Sequence, residues 1–506
     1  MNRFLLLFFL IIAVNPIVIG QALKPANIFS DHMVLQREKE VPVWGTAAPK
    51  ENILIEFAGQ KKAVKADAQG HWKITLDPLP ASVEGQTMTI TGRSRVEIKD
   101  IVIGEVWICS GQSNMQMSAA AIPEIRGLKS FAKNIRSFNV QQQVAFEAQS
   151  NVKGSWAPCP PPSAVAFSFA YFLNNLAEVP VGIIQTAWGS SSIEAWTPRD
   201  MTTALPLFKN IMEEFDADTV RSAKIKRLIQ QEEVWTNQEN IFLRRQPNIL
   251  YNAMMAPLMP IACRGIVWYQ GERNTRYLSG LPEVNEKNWF HRVCGSKDYE
   301  NTLQKWILNY RKKWNDENLH FMIVMLPSFG KGTEHKKIID AELPTEPSWA
   351  WMRNAQLAAL KLPHVSVINT IDLGDLKDIH PADKLPIGQR GALLAARETL
   401  NLNIPAKGPE MNRVEILSDR IIIHFNHAEG LQTTNNQMPT GFWITDDTQV
   451  WEKADAQIKG ERIILSAANI RQPKYVRYAF AAKPKVNLVN QVGLPAYPFK
   501  TDSFPE

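Results

Sequence analysis

From about Leu23 to Lys99 apolar and polar residues alternate in short runs: Val41/Val43, Ile53/Ile55/Phe57, Trp72/Ile74/Leu76, Met88/Ile90 and Val96/Ile98. A period of two puts one set of side chains on one face of a strand, and turn residues such as Ala68-Gln69-Gly70 break the runs, so residues 22–99 are predicted to form a small β-sandwich-like domain. After Asp100 the texture changes to continuous apolar runs, beginning with Ile101 to Ile108 and continuing with Pro180–Ile184, Gly265–Trp268, Met322–Met325 and Val365–Ile368. Between them lie helical patterns such as Leu303 to Trp314, with Trp306, Ile307, Tyr310 and Trp314 on one face, and Leu385 to Leu400. Apolar strands alternating with helices imply an α/β domain over 100–404, a parallel sheet covered on both faces. The charge-mixed stretch 205–246 reads as a helical excursion over the surface. Alternation returns in Val414/Ile416, Ile421/Ile423/Phe425, Phe442/Ile444, Ile463/Leu465 and Val476/Tyr478, which predicts a second β-rich domain over 405–506, with Pro405, Gly408 and Pro409 as linker.

Composition narrows the class. Hydrophobic residues make up 45% and charged residues 21% of 506 residues, the balance of a soluble multidomain globular protein. The apolar run Phe4–Val14 after Met-Asn-Arg, ending at Asn15-Pro16, has the length and basic start of a secretory signal, expected over 1–21, and no other stretch approaches about 18 apolar residues. A secreted or periplasmic protein without stable membrane insertion is therefore expected. The net charge of +6 is spread along the chain without a basic block, which argues against nucleic acid. Cys109, Cys159, Cys263 and Cys294 are too scattered for a disulfide framework or a Cys-x-x-Cys metal site, although one bridge is compatible with an oxidising compartment.

Candidate chemistry gathers at strand ends. Gly111-Gln112-Ser113-Asn114 follows the first α/β strand, where parallel sheets place their ligands, and a Ser at such a turn can present its hydroxyl. That hydroxyl becomes a nucleophile only if a base takes its proton. Of nine histidines, His380 in Asp378-Ile379-His380-Pro381 follows a buried strand just before the helix at Leu385, with an acid beside it to orient the imidazole. Acyl transfer also needs donors aimed at an oxyanion. Gly189 in Trp188-Gly189-Ser190 and the Gln270 amide in Trp268-Tyr269-Gln270-Gly271-Glu272 stand at two further strand ends.

Taken together, Trp107 to Met115, Gln185 to Ser190 with Ile193-Glu194-Ala195-Trp196, Leu250 to Met254 with Ala256-Pro257-Leu258, Trp268 to Glu272 and Asp378 to Pro381 resemble the sialate O-acetylesterase family of the SGNH hydrolases. Phe29 to Gln36 and Gly493 to Ala496 extend the resemblance over nearly the whole chain after the signal segment. It implies an SGNH-hydrolase-like three-layer α/β/α fold flanked by N-terminal and C-terminal β-rich domains, a serine esterase working through an acetyl-enzyme, and neither metal nor organic cofactor. Ser113 would be the nucleophile and His380 the base, with the Ser113 and Gly189 amides and the Gln270 side chain as oxyanion hole. Many SGNH enzymes place the acid three residues before the His, where Lys377 stands here; Asp378 is the first choice as orienter, Asp375 the second, and a backbone carbonyl the third. Gln112, Asn114, Trp188, Glu272 and Arg273 are candidate substrate contacts. The segment from Arg273 to Asp298, with Tyr277, Trp289 and His291, is longer than the family pattern and is either a substrate wall or a surface insertion. The expected partner is an O-acetylated carbohydrate, foremost a 9-O-acetylated sialic acid, whose carboxylate would suit Arg199, Arg264 or Arg273; acetylxylan or another plant glycan is the alternative. A non-catalytic carbohydrate-binding protein is the competing class.

Overall fold

The computed structural model describes residues 22–231, 233–283, 292–330, 340–345 and 348–504. The expected signal segment 1–21, Trp289 and His291 lie outside the described residues. Seven strands, β1 (Arg95–Gly111), β2 (Ile135–Asn139), β3 (Trp156–Ala157), β4 (Val181–Ala187), β5 (Gly265–Tyr269), β6 (His320–Val324) and β7 (Val365–Ile368), form the main path of a mixed sheet in the order β3-β2-β4-β1-β5-β6-β7. All neighbours on this path run parallel except β3 and β2. The chain moves to one side of β1 for β2–β4 and to the other for β5–β7, so the carboxyl end of β1 is the topological switch point of the sheet.

β1 is 17 residues long and belongs to two environments. Its first part pairs with Ser82–Thr91, in a sheet that continues through Asn52–Phe57 to Gln60–Lys65, while Val34–Gln36 lies parallel to Val102–Gly104. Its last part pairs with β4 and β5. The expected 99/100 boundary thus falls inside a strand. Where the two parts meet, fully buried Glu105 accepts from Arg37 Nε (2.5 Å) and Arg264 Nε (2.7 Å). Burial opposes its charge, but these guanidinium contacts outweigh that and hold its carboxyl below the usual range.

Helices cover both faces. The principal ones are α1 (Ser113–Gln116), α2 (Ala164–Ala177), α3 (Tyr299–Trp314), α4 (Ser348–Leu357) and α5 (Leu385–Leu400). Neighbouring residues of β6 point to opposite layers: Phe321 meets Trp306 of α3 with centroids 5.7 Å apart, whereas Met322 lies against Gly391 of α5. Trp107 of β1 packs edge-on against Phe169 of α2, on the α5 side. α3 buries Trp306, Ile307, Tyr310 and Trp314, carries Arg311, Lys312 and Lys313 in its last turn, where cations suit the helix dipole, and ends at Asn315 in the left-handed conformation. α2 starts at Ser163, whose hydroxyl accepts from Ala166 N. The stretch 205–246 holds helices Pro206–Ala217, Thr219–Gln230 and Asn237–Leu243.

Beyond residue 405 lie two four-stranded sheets, one of Glu410–Ile416, Ile421–Asn426, Arg462–Ser466 and Asp455–Lys459, the other of Glu452–Lys453, Phe442–Thr445, Tyr475–Tyr478 and Phe499–Lys500. Buried Arg353 of α4 donates to the Ala481 and Ala482 carbonyls (2.6 and 2.9 Å), and Tyr497 donates to Val367 O (2.8 Å), so this part is tied to the central sheet. The bridge that an oxidising compartment would allow is not formed: all four cysteines are free thiols, three of them buried.

Candidate active site

At the switch point the chain turns sharply from β1 into α1. Gly111 has φ 139°, and a Cβ there would collide with the Tyr269 carbonyl, so only glycine permits the close approach of β1 to β5. Gln112 N donates to Tyr269 O (3.0 Å) and Trp188 N to Gly111 O (3.1 Å), binding three strand ends together. Ser113 then opens α1, and its Oγ lies 2.8 Å from His380 Nε2. Two residues 267 positions apart are thus brought into hydrogen-bond distance by strands β1 and β7. With Nε2 accepting, Ser113 can hand its proton to the ring.

The His380 loop is folded on its own carboxylates. Asp375 Oδ1 accepts from Lys377 N (2.6 Å) and Asp378 N (2.9 Å), and Asp378 Oδ1 accepts from His380 N (2.8 Å). Asp378 therefore contacts His380 through the backbone rather than through Nδ1. Desolvation of the ring, with the Lys384 cation nearby, outweighs the Asp378 charge and sets His380 below its ordinary pKa.

Gly189 follows β4 and faces Ser113: a Cβ on Gly189 would lie 3.2 Å from Ser113 Cβ. The next residue, Ser190, is held at φ 60°. Gly189 N donates to Gln116 Oε1 (2.8 Å), so in the resting structure a side-chain carbonyl occupies this amide. Gln270 is fully buried. Its Nε2 has acceptors in Asn274 Oδ1 (2.9 Å), Gln112 Oε1 (3.2 Å) and Ser191 O (3.3 Å), and its Oε1 accepts from Tyr299 OH (2.7 Å). Asn274 in turn donates to buried Glu194 (3.2 Å). The loop after β5 is thus a hydrogen-bonded polar lattice, with Gln270 at its centre.

The expected substrate contacts are mostly buried. Gln112 accepts from Gln270 and from Arg273 N (3.4 Å). Trp188 is fully buried, donates to Asn240 Oδ1 (3.1 Å) and stacks on Trp235 at 6.0 Å. Asn114 Nδ2 donates to Glu272 Oε1 (2.5 Å) and to Ile379 O (3.0 Å), while Lys384 Nζ donates to Asn114 Oδ1 (2.7 Å). Burial pushes Glu272 up to about 7 and Lys384 down to about 8. Burial first, and then the charges of Arg245 and Arg276, push Arg273 down to about 8; Arg245 reaches Ser190 Oγ at 3.4 Å. The other two arginines considered lie elsewhere, Arg199 on Asp216 (2.7 Å) and Arg264 on Glu105 at the opposite end of β5. Lys384 and Gln116 were not singled out from the sequence. Lys384 stands four residues past His380, a spacing that marks nothing until α5 buries its ammonium. Among the described residues, no group of three or more His, Cys, Asp or Glu is arranged to hold a metal ion, and no helix is long and apolar enough to cross a membrane.

Known proteins resemble this chain in sequence and in fold. A sialate O-acetylesterase of Mus musculus is 25% identical over 468 residues, covering 82% of this chain and 80% of its own, and that of Homo sapiens is 24% identical over 450 residues, covering 82% and 78%. The crystal structure of a carbohydrate acetylesterase from Xanthomonas citri superposes with a TM-score of 0.77 at 27% identity, covering 95% of this chain and all of that one. The architecture is accordingly an SGNH-like α/β core flanked by β-rich domains. A family model described as carbohydrate esterase, sialic acid-specific acetylesterase, matches residues 103–395, more than half of the 506. The chain therefore belongs to that family of carbohydrate esterases and is a carboxylic ester hydrolase.

Proposed function

We propose that the protein is a serine esterase that removes O-acetyl groups from sialic acids, foremost at the 9-position, through an acetyl-enzyme on Ser113. The observation that carries this reading is the 2.8 Å contact between Ser113 Oγ and His380 Nε2 at the switch point of the sheet. Ser113 Oγ attacks the acetyl carbonyl carbon as its proton passes to His380 Nε2, and the carbonyl oxygen becomes an oxyanion. Collapse breaks the ester C–O bond, and His380 protonates the departing sugar oxygen. A water that gives its proton to His380 then attacks acetyl-Ser113, and the acyl C–Oγ bond breaks as His380 returns the proton to Ser113 Oγ, which releases acetate.

The Ser113 and Gly189 backbone amides are the donors this reading assigns to the oxyanion, each worth about 3 kcal/mol in the transition state. For Gly189 the acyl oxygen takes the place of Gln116 Oε1. Gln270 is the third donor, and to serve it exchanges one of its two longer contacts, to Gln112 or Ser191, for the oxyanion. Asp378 is the acid of the site: its charge raises the basicity of His380 and its carboxylate holds the His380 backbone. Sialic acid is placed before a neutral plant glycan because the relatives from Mus musculus and Homo sapiens are sialate O-acetylesterases.

The test is acetate release from an aryl acetate by the native protein and by Ser113→Ala, followed by a panel of O-acetylated sialic acids and acetylated xylan. Equal rates for native protein and variant would end the serine reading. Faster release from xylan than from the sialic acids would replace the substrate.

A further inference from the structure

Asn114, Glu272 and Lys384 come from three separate segments, and each is almost wholly buried, at 1, 5 and 0% exposure. Asn114 directly follows Ser113. Glu272 directly follows Gly271 on the loop that carries Gln270, and Lys384 caps α5 just past the His380 loop. One carboxamide, that of Asn114, joins the three segments. Its oxygen takes the Lys384 ammonium (2.7 Å), and its nitrogen serves both the Glu272 carboxylate (2.5 Å) and the carbonyl of Ile379, the residue before His380 (3.0 Å). The orientation of the amide is set from both ends, since a cation demands the oxygen and an anion demands the NH2 group. Among the described residues, Glu272 Oε2 has no hydrogen-bond partner. An unpaired buried carboxylate oxygen is expensive, so the arrangement is not what packing alone would select.

We infer that Lys384, Asn114 and Glu272 form a buried positioning clamp that holds the Ser113 turn, the Gln270 loop and the His380 loop in one register, so that Ser113 Oγ and His380 Nε2 stay at reacting distance. The inference rests on the serine esterase reading. The three residues act through Ser113 and His380 and touch no substrate. Lys384 and Glu272 fix the Asn114 amide, and the amide fixes the backbone of Ile379 relative to Ser113. Without the Lys384 ammonium, the Asn114 oxygen is left buried without this donor, and the amide that holds Ile379 loses one of its two charged anchors. A displacement of about 1 Å between nucleophile and base lowers turnover about 100-fold.

The test compares Lys384→Met, Glu272→Leu and the conservative Glu272→Gln, which keeps an acceptor oxygen for Asn114. Steady-state kinetics on an aryl acetate are scaled to active sites counted by a serine-reactive phosphonate. The expected result is a kcat loss of about tenfold or more for Lys384→Met and Glu272→Leu, KM within about twofold of native, and recovery of most of the kcat in Glu272→Gln. The clamp is overturned if kcat per titrated site stays within twofold of native in Lys384→Met and Glu272→Leu, or if the whole loss is a loss of titratable, folded protein. Native protein that neither hydrolyses the ester nor takes up the phosphonate sinks the esterase reading instead, so the two failures are distinct.

Discussion

Single side chains set the protonation of the base. His380 must be neutral to accept a proton from Ser113, so kcat/KM falls as pH drops through its pKa. Since that pKa lies below the ordinary 6.5, the acid limb is expected below pH 6.5. The two charged neighbours act with opposite sign: Asp378 raises the pKa and Lys384 lowers it. Asp378→Asn should therefore move the limb to lower pH while reducing the rate, and Lys384→Met should move it to higher pH, both read from kcat/KM profiles. A variant whose limb stays in place or moves the other way would show that its charge does not act on the imidazole in this way. Gln116 gives a second prediction. Its carbonyl sits on the Gly189 amide that the ester carbonyl needs, and a hydrogen bond is worth about 1 kcal/mol net, so Gln116→Ala should lower KM about fivefold with kcat little changed. An unchanged KM would remove Gln116 from the substrate's path. The roles of Lys384 and Gln116 could not be read in the sequence, because each depends on which buried or facing group the side chain meets across the fold. The pairing of Ser113 with His380 was more legible, since both stand in turns after apolar runs, and parallel strands gather their carboxyl ends.

The elements themselves were largely written in periodicity. The predicted helix Leu385 to Leu400 matches α5 at both ends, and the face Trp306, Ile307, Tyr310 and Trp314 is the buried face of α3. Strands with weak contrast were missed. Gln60–Lys65 shows a Lys-rich outer face on its sheet edge, and Ile135–Asn139 has few apolar residues, yet is stitched between β3 and β4. The turn from β1 to α1 is the most demanding joint among them. Gly111→Ala would add a Cβ against the Tyr269 carbonyl at a positive φ, at a cost of about 1–3 kcal/mol, and push β5 away from β1. The expected outcome is a lower thermal midpoint together with a loss of esterase rate greater than the unfolded fraction explains. A variant of native rate would mean that Ser113 does not depend on this approach.

Across the whole molecule, texture separated three regions along the chain, but it could not show that one strand passes through the first two. Alternation marks which face is buried, not which sheet a strand enters next. Ile101, Val102 and Ile103 are buried to within 2% of full, and the strands paired with them, Val34–Gln36 and Ser82–Thr91, precede residue 100. A fragment starting at residue 100 should therefore expose an apolar edge and aggregate, with soluble yield and ester hydrolysis as the measures. A soluble, active fragment would show that the β1 edge tolerates being uncovered. The same strand restricts how relatives could exchange parts. A crossover at 99/100 joins half a strand from one parent to half from another, and a slip of one residue at the seam exchanges the faces on which Trp107 and Ile108 lie. Hybrids that inherit residues 95–111 from a single parent keep the register on which the serine turn is built.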